Sequence, residues 1–322
     1  MDIVVCPGCR TWTADRIDVR TLDRTGDVLA CVCGRRYPII DGVPLVLDKP
    51  GDMLRADIAG IVERDLPPEV AALLVDGGDD APYARLQEHL SIYLDAQWGD
   101  RATPPPDGPG EGFGLAAVVE RLAALPRVGR ALELGASVGR VVAELARTAD
   151  HVVGVDLHFG ALRRARKLLA GERLAYNRRV VGRHYTTAEI VPGELATDRV
   201  SFVCSNALDP PLVPGAYDRV VAINLLDSVA SPSQLLAVMD GLCATGGELV
   251  LASPFAWQSG VMADTERLGG ADPAATVSEL LRTGAIGATY RIEDEAELPW
   301  TLRRDARSAL VYRTHYVRAR KL

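Results

Sequence analysis

The chain of 322 residues carries 36 Lys and Arg against 43 Asp and Glu, a net charge of -7, and 48% of its residues are hydrophobic. That length suits about two domains and that apolar content a large core. The acidic balance argues against a nucleic-acid sleeve, and no uncharged apolar stretch of about 18 residues offers a membrane span. The N-terminus, Met1 to Cys6, lacks a basic region followed by an apolar core, so no secretion signal is expected and cytoplasmic residence is.

Four of the six cysteines fall within the first 33 residues, as Cys6-Pro-Gly-Cys9 and Cys31-Val-Cys33-Gly34. Two close thiol pairs on opposing turns are what a tetrahedral all-cysteine zinc site needs. Paired disulfides, the alternative, rarely persist in a cytosolic chain. Cys6, Cys9, Cys31 and Cys33 are the expected ligands. A module of fewer than about 50 residues cannot bury enough core, so the metal would supply folding energy. Four thiolates leave no open position for substrate, which makes a structural role the expectation. After Cys33 the chain reads Gly34-Arg-Arg-Tyr-Pro-Ile-Ile-Asp-Gly-Val-Pro-Leu-Val-Leu47. This CxCG knuckle running into a YPI-DG-P segment resembles the zinc ribbon of the tRNA-methyltransferase activator family. The resemblance implies a zinc-ribbon domain over residues 1–48, an activating partner fused to its methyltransferase client and packing on it.

Residues 49–112 read as a helical segment followed by a linker or lid. Leu86, Leu90, Tyr93 and Leu94 share one face at helical spacing. Arg101 to Gly110 holds four prolines and two glycines, which no regular element accommodates.

From Phe113 to Leu322 the pattern is doubly wound α/β. A helix is predicted over Phe113–Leu125, with Leu115, Val118, Val119 and Leu122 on one side. Strands are predicted at 130–134, 151–156, 200–204, 217–223 and 247–252, and helices near 138–147, 158–170 and 232–244. The last two strands are expected at Ala285–Ile292 and Ser308–Ala319. Runs such as Arg219-Val-Val-Ala-Ile223 suit strands buried on both faces. Cys204 and Cys243 read as core thiols, and Arg163, Arg164, Arg166 and Lys167 as a solvated helix face.

Ala131-Leu-Glu-Leu-Gly-Ala-Ser-Val-Gly-Arg140, then Val152-Val-Gly-Val-Asp156, is a strand, a glycine turn opening a helix, and a second strand ending on an acid. Such a turn lets a nucleoside lie against bare backbone while Asp156 meets ribose hydroxyls. Dinucleotide sites use G-x-G-x-x-G and P-loops a lysine after the second glycine. Here the loop is E-x-G-x-x-x-G, and Glu133 suits a cationic ligand better than a phosphate. These residues resemble the class I methyltransferases. The resemblance implies a Rossmann-like, doubly wound, seven-stranded sheet closed by an antiparallel hairpin, with S-adenosylmethionine as cofactor. Glu133, Gly135, Ala136, Gly139, Asp156, Leu157, Asn206, Ala207 and Asn224 would bind it, Asn206 at the adenine edge, with a plain turn asparagine as the alternative there.

The fourth strand end gives Asn224-Leu-Leu-Asp227, where Asn224 could accept a hydrogen bond from a target nitrogen. Asp227 could hold a proton or cap a helix. Further segments are Tyr93-Leu-Asp-Ala-Gln-Trp98-Gly-Asp100, Ser253-Pro-Phe-Ala-Trp257, Leu268-Gly-Gly270 and Pro299-Trp-Thr-Leu-Arg303. Together they resemble the 4-mercaptohistidine N1-methyltransferase family of ovothiol biosynthesis, which implies N-methylation of a histidine-like small molecule. On that reading Tyr93, Trp98 and Trp257 wall a pocket for a flat ring and Arg303 clamps a carboxylate; the alternatives are core or interface packing for the tryptophans and an ion pair of Arg303 with an acid such as Glu293. The chain departs from the family at Gln97, where histidine is usual, and in its cysteine module. The acidic run Glu293–Glu297 is at odds with an anionic substrate. An RNA or protein acceptor and a non-catalytic cofactor-binding scaffold are the competing readings.

Overall fold

The computed structural model describes residues 3–12, 17–56, 70, 82–107, 114–182 and 184–322. The end of the expected linker, 108–112, and Phe113 lie outside the described residues. No described helix is long and apolar enough to cross a membrane.

The N-terminal module is built from short strands: β1 (Thr11–Trp12), β2 (Ile17–Asp18), β3 (Asp23–Thr25), β4 (Val28–Ala30), β5 (Arg36–Ile40) and β6 (Val43–Pro44). The last four form one antiparallel sheet. Helix α1 (Pro50–Ala56) follows, then α2 (Pro82–Trp98) and the two-residue β7 (Ala102–Thr103).

The large domain runs α3 (Ala116–Ala123), β8 (Val128–Leu134), α4 (Arg140–Thr148), β9 (Ala149–Asp156), α5 (Phe159–Leu169), β10 (Leu174–Val181), β11 (His184–Ile190), β12 (Val200–Cys204), β13 (Tyr217–Ile223), α6 (Pro232–Leu242), β14 (Cys243–Ser253), α7 (Pro273–Thr283), β15 (Tyr290–Asp305) and β16 (Ser308–Lys321). Its central sheet has seven strands in the order β12-β9-β8-β13-β14-β16-β15. The first five are parallel, and β16 is antiparallel to both its neighbours. Strand order reverses between β8 and β13, so a crevice opens at the carboxyl ends there.

Alternation along each strand divides its side chains between two apolar layers. Ala131, Val152, Val221 and Val250 face α3, α4 and α5. Leu132, Val153, Val220 and Leu249 face the other side. That second face lacks a helix between β12 and β13, where residues 205–216 form a loop. The cysteine module fills the space. Val4, Cys6, Leu29, Cys31, Tyr37 and Val46 belong to the same buried cluster as Leu132, Val155 and Val203. Backbone bonds tie the two parts: Val5 N donates to Pro211 O at 2.8 Å and Val46 N to Cys204 O at 3.0 Å. The Ser205 hydroxyl donates to Val46 O at 2.7 Å. Leu45 bridges Cys204 in parallel, so the module also covers the β12 edge, whose backbone groups would otherwise be open to another chain.

The structure differs from the sequence expectations in several elements, and β7 forms inside the expected Pro- and Gly-rich linker. The sixth strand spans Tyr290–Asp305 rather than 285–292, because Gly284 ends α7 in the left-handed region and the acidic run is itself strand. Its carboxylates pair across the hairpin: Glu293 with Arg320 at 3.3 Å and Glu297 with Arg313 at 3.1 Å. The acidic run therefore does not face an acceptor as free charge. The β10–β11 hairpin, which hydrophobic periodicity did not announce, pairs with β7 and packs on α2. Finally, Arg163 and Arg164 are buried rather than solvated, since α5 is covered on both sides, while Arg166 remains exposed. Cys204 and Cys243 are buried as expected.

A shared layer makes the module and the sheet one cooperative unit. Leu29→Ala, a truncation wholly inside the module at a 1%-exposed site, should cost about 2–5 kcal/mol. Calorimetry should show a single transition at lowered temperature. Two transitions, with the second at the wild-type position, would contradict a common core.

Candidate active site

The crevice at the switch point has a volume of about 360 Å³ and is walled by α2, the β8 and β9 loops, and the ends of β13 and β14. Its floor is the turn after β8. Gly135 and Ala136 N donate to Val155 O at 2.8 and 3.0 Å, and Gly139 N donates to Ala136 O at 2.8 Å. Gly135 and Gly139 have φ of +84° and +82°, a region that disfavours side chains. A Cβ on Gly139 would also lie 2.6 Å from the Ala165 Cβ, so α5 can approach the loop only because that atom is missing.

Glu133 sits behind this turn, 2% exposed, and its Oε2 has no hydrogen-bond partner. Burial, reinforced by Asp156, holds its carboxyl well above the usual range. Asp156 accepts from Ser137 N and His158 N, each at 2.8 Å, one on each oxygen. Each oxygen keeps a second lone pair. Burial raises its pKa as well.

Asn224 ends β13 at φ +53°, an uncommon conformation for a non-glycine residue. Its backbone N donates to Ala252 O at 2.7 Å, but neither atom of its amide has a partner. Glu133 and Asn224 thus bring two unsatisfied polar groups to one crevice. Asp227 is buried and its pKa raised by desolvation. Its Oδ2 accepts from Ala256 N at 2.9 Å and its carbonyl from Gln258 N at 3.1 Å, which anchors the loop after β14.

Of the remaining expected residues, Tyr93 lines the crevice and Gly135 forms its base. Leu157, Asn206 and Ala207 stand at the tips of β9 and β12, outside the crevice walls. Asn206 Oδ1 accepts from Leu208 N at 2.9 Å in a local turn. Trp257 packs on Phe255 with ring centroids 5.6 Å apart and is not among the crevice's lining residues, although its neighbours Ala256 and Gln258 are. Trp98 is fully buried, donates to Val138 O at 2.9 Å and carries the Arg140 guanidinium over its ring. It supports the loop from behind and cannot wall a pocket. Arg303 is 4% exposed and reaches Asp95 at 2.9 Å and Asp107 at 3.0 Å rather than the crevice. A carboxylate clamp would require it to leave both.

Asp95 is the centre of that knot. It also accepts from Arg178 Nε at 2.8 Å and from the Tyr176 hydroxyl, so α2, the β10–β11 hairpin and β15 meet on one carboxylate. Gln97 accepts from Arg140 N at 3.2 Å, capping α4 from a neighbouring helix. His89, His158, Trp300 and Tyr312 also line the crevice. His89 packs tilted against Tyr93 with ring centroids 4.4 Å apart and lies 5.3 Å from His158. Surrounding protein and His158 lower its pKa to about 4. His89 was findable in sequence from its i, i+4 relation to Tyr93, and His158 from its place two residues past Asp156. Tyr312 carries no local signal.

In the N-terminal module, the Sγ atoms of Cys6, Cys9, Cys31 and Cys33 all lie within 4.8 Å of one another. The Cys6–Cys33 and Cys9–Cys31 separations are 3.8 and 3.6 Å. A disulfide needs about 2.05 Å, whereas four sulfurs about 2.3 Å from a common centre stand about 3.8 Å apart.

Residues 132–251 match the family model of a methyltransferase domain. None of the curated proteins compared matches the chain in sequence. Among solved structures, it is similar to magnesium protoporphyrin IX methyltransferase from Synechocystis PCC 6803 with bound SAM, at 15% identity and a TM-score of 0.44, over 78% of this chain and 97% of that one. It is also similar to a SAM-dependent methyltransferase from Aquifex aeolicus, at 12% identity and a TM-score of 0.40, over 80% and 100% of the two chains.

The geometry of Asp95 gives a test of Arg303. Asp95→Asn leaves two buried guanidinium groups short of a counter-charge and should cost about 3–5 kcal/mol of stability. Arg303→Ala should likewise lower the melting temperature. Unchanged melting for Arg303→Ala would return that side chain to the list of free groups.

Proposed function

We propose that this methyltransferase takes its methyl group from S-adenosylmethionine and transfers it to a ring nitrogen of a small imidazole-type acceptor. That the chain is a methyltransferase enzyme rests on the family match over residues 132–251. The observation that carries the cofactor reading is the unpartnered, buried Oε2 of Glu133 in the same crevice as the unpartnered Asn224 amide. A buried charge without a partner is costly, and a cationic sulfonium and amine offset that cost. Asp156 keeps lone pairs for ribose hydroxyls, and the exposed Leu157 offers apolar surface for a base.

When bound, S-adenosylmethionine supplies a methyl carbon already activated by positive sulfur, so the protein needs chiefly to align and desolvate. Tyr93, Trp300 and Tyr312 provide flat apolar walls for a heteroaromatic ring. Asn224, held in a strained conformation, presents its amide to orient the acceptor nitrogen. The motif resemblance to the ovothiol-type family supports an imidazole ring. Arg303 takes no part in this reading, being held by Asp95 and Asp107. For the cysteine cluster we propose a structural zinc ion, supported by four thiols within 4.8 Å of one another, two of the pairs at 3.8 and 3.6 Å.

Asp156→Ala should weaken S-adenosylhomocysteine binding about tenfold or more, because two loop amides lose their acceptor. Asn224→Ala should chiefly slow turnover; equal losses of cofactor affinity in both variants would contradict the division. The raised pKa of Glu133 sets a pH dependence. As pH rises through that pKa the carboxylate becomes charged and favours the sulfonium over the neutral thioether. The preference for S-adenosylmethionine over S-adenosylhomocysteine should therefore grow with pH, and a flat ratio would oppose the role. Elemental analysis should find one zinc per chain, with chelation lowering the single melting transition. A metal-free protein of full stability would end the zinc reading.

A further inference from the structure

The crevice is lined by three acids and two histidines. Glu133, Asp156 and Asp227 line it, and among the described residues no lysine or arginine does. Three buried guanidinium groups, on α4, β10 and β15, are already bound. Arg140 pairs with Asp100 at 2.6 Å and Glu144 at 2.9 Å, Arg178 with Asp95 at 2.8 Å, and Arg303 with Asp95 and Asp107. Each of the three is only 3–4% exposed, so recruiting one for a ligand would break a buried pair. His89 lies against Tyr93 with ring centroids 4.4 Å apart, and its pKa is lowered by the surrounding protein and His158.

The carboxylates divide by position. Glu133 and Asp156 border the glycine turn, where the donor is proposed to lie. Asp227 stands at the end of β13 beyond Asn224, and one of its oxygens takes the Ala256 amide. It is the acid on the acceptor side, with Tyr93, Tyr312 and Trp300 among the other walls. Among the lining residues an anion there would meet Asp227 and no lysine or arginine. A cation would gain both a carboxylate and aromatic faces.

We infer that the acceptor is an imidazole-type ring bearing a protonated amine and no carboxylate, with the amine held by Asp227. This rests on the reading that the crevice takes a sulfonium donor at Glu133. The ring nitrogen that reacts is unprotonated: its lone pair forms the N–CH3 bond, the C–S pair returns to sulfur, and the proton on the other ring nitrogen leaves to water. The amine on the tail keeps its proton throughout.

Calorimetry on the full chain loaded with S-adenosylhomocysteine tests this with histamine, histidine and imidazole-4-acetate. Histamine should bind at least about tenfold more tightly than imidazole-4-acetate, with histidine between them. Asp227→Asn keeps an oxygen for Ala256 but loses the charge, and it should abolish that preference while S-adenosylhomocysteine still binds. Imidazole-4-acetate binding as tightly as histamine, a preference that survives Asp227→Asn, or no binding of any of the three would overturn the inference. The comparison in the wild-type protein decides the matter if the variant does not fold. Failure of S-adenosylhomocysteine itself to bind would instead remove the donor reading on which this one stands.

Discussion

The apolar layer beneath β9, β8 and β12 cannot be closed by the large domain alone. A doubly wound sheet must be covered on both faces, and here no helix connects β12 to β13. Val4, Leu29, Tyr37 and Val46 of the cysteine module complete that layer, and Leu45 and Val46 extend along the β12 edge as far as Cys204. Cys6 and Cys31 belong to the same buried cluster. Whatever holds the four thiols together therefore also holds the sheet whose strand tips form the crevice. The module is a missing layer of the fold rather than an attached domain.

Buried charge is used in two opposite ways. At Asp95 it is saturated: two guanidinium groups and a tyrosine hydroxyl converge on one carboxylate and lock three elements together. At Glu133 it is left open, with one oxygen unpartnered at the base of a cavity. The first arrangement has its counter-charges supplied from within the chain and gives rigidity. The second lacks one, and a ligand of positive charge is the natural complement. The same low-dielectric surroundings act on both sites, so what separates structural from functional acid is whether the fold supplies a cation.

The strand-turn-helix around Gly135 and Gly139 was legible from residue order because it depends on local conditions. A positive φ and a missing Cβ are properties of single positions. The spacing of Glu133, Asp156, Asn206 and Asn224 to their strand ends followed from the same periodicity, as did the paired cysteines. The acidic strand β15 was misplaced because its run of charge resembles a loop until the arginines of β16 lie opposite it. Arg303 and Trp98 looked available for the same reason: a side chain's partner is invisible when it lies far along the chain. The β10–β11 hairpin had no apolar alternation to announce it, since its charged residues are neutralised by α2.

Sequence alone thus determined the fold class, the glycine turn and its two acids, and the four thiols, all of which depend on local spacing. Only tertiary structure decided which charges remain open. It joined Arg303 to Asp95 across most of the chain, brought His89 and Tyr312 to the crevice, and laid the cysteine module on the sheet. Those outcomes depend on which distant surfaces are buried together, and desolvation acts on a charge only once its surroundings are in place.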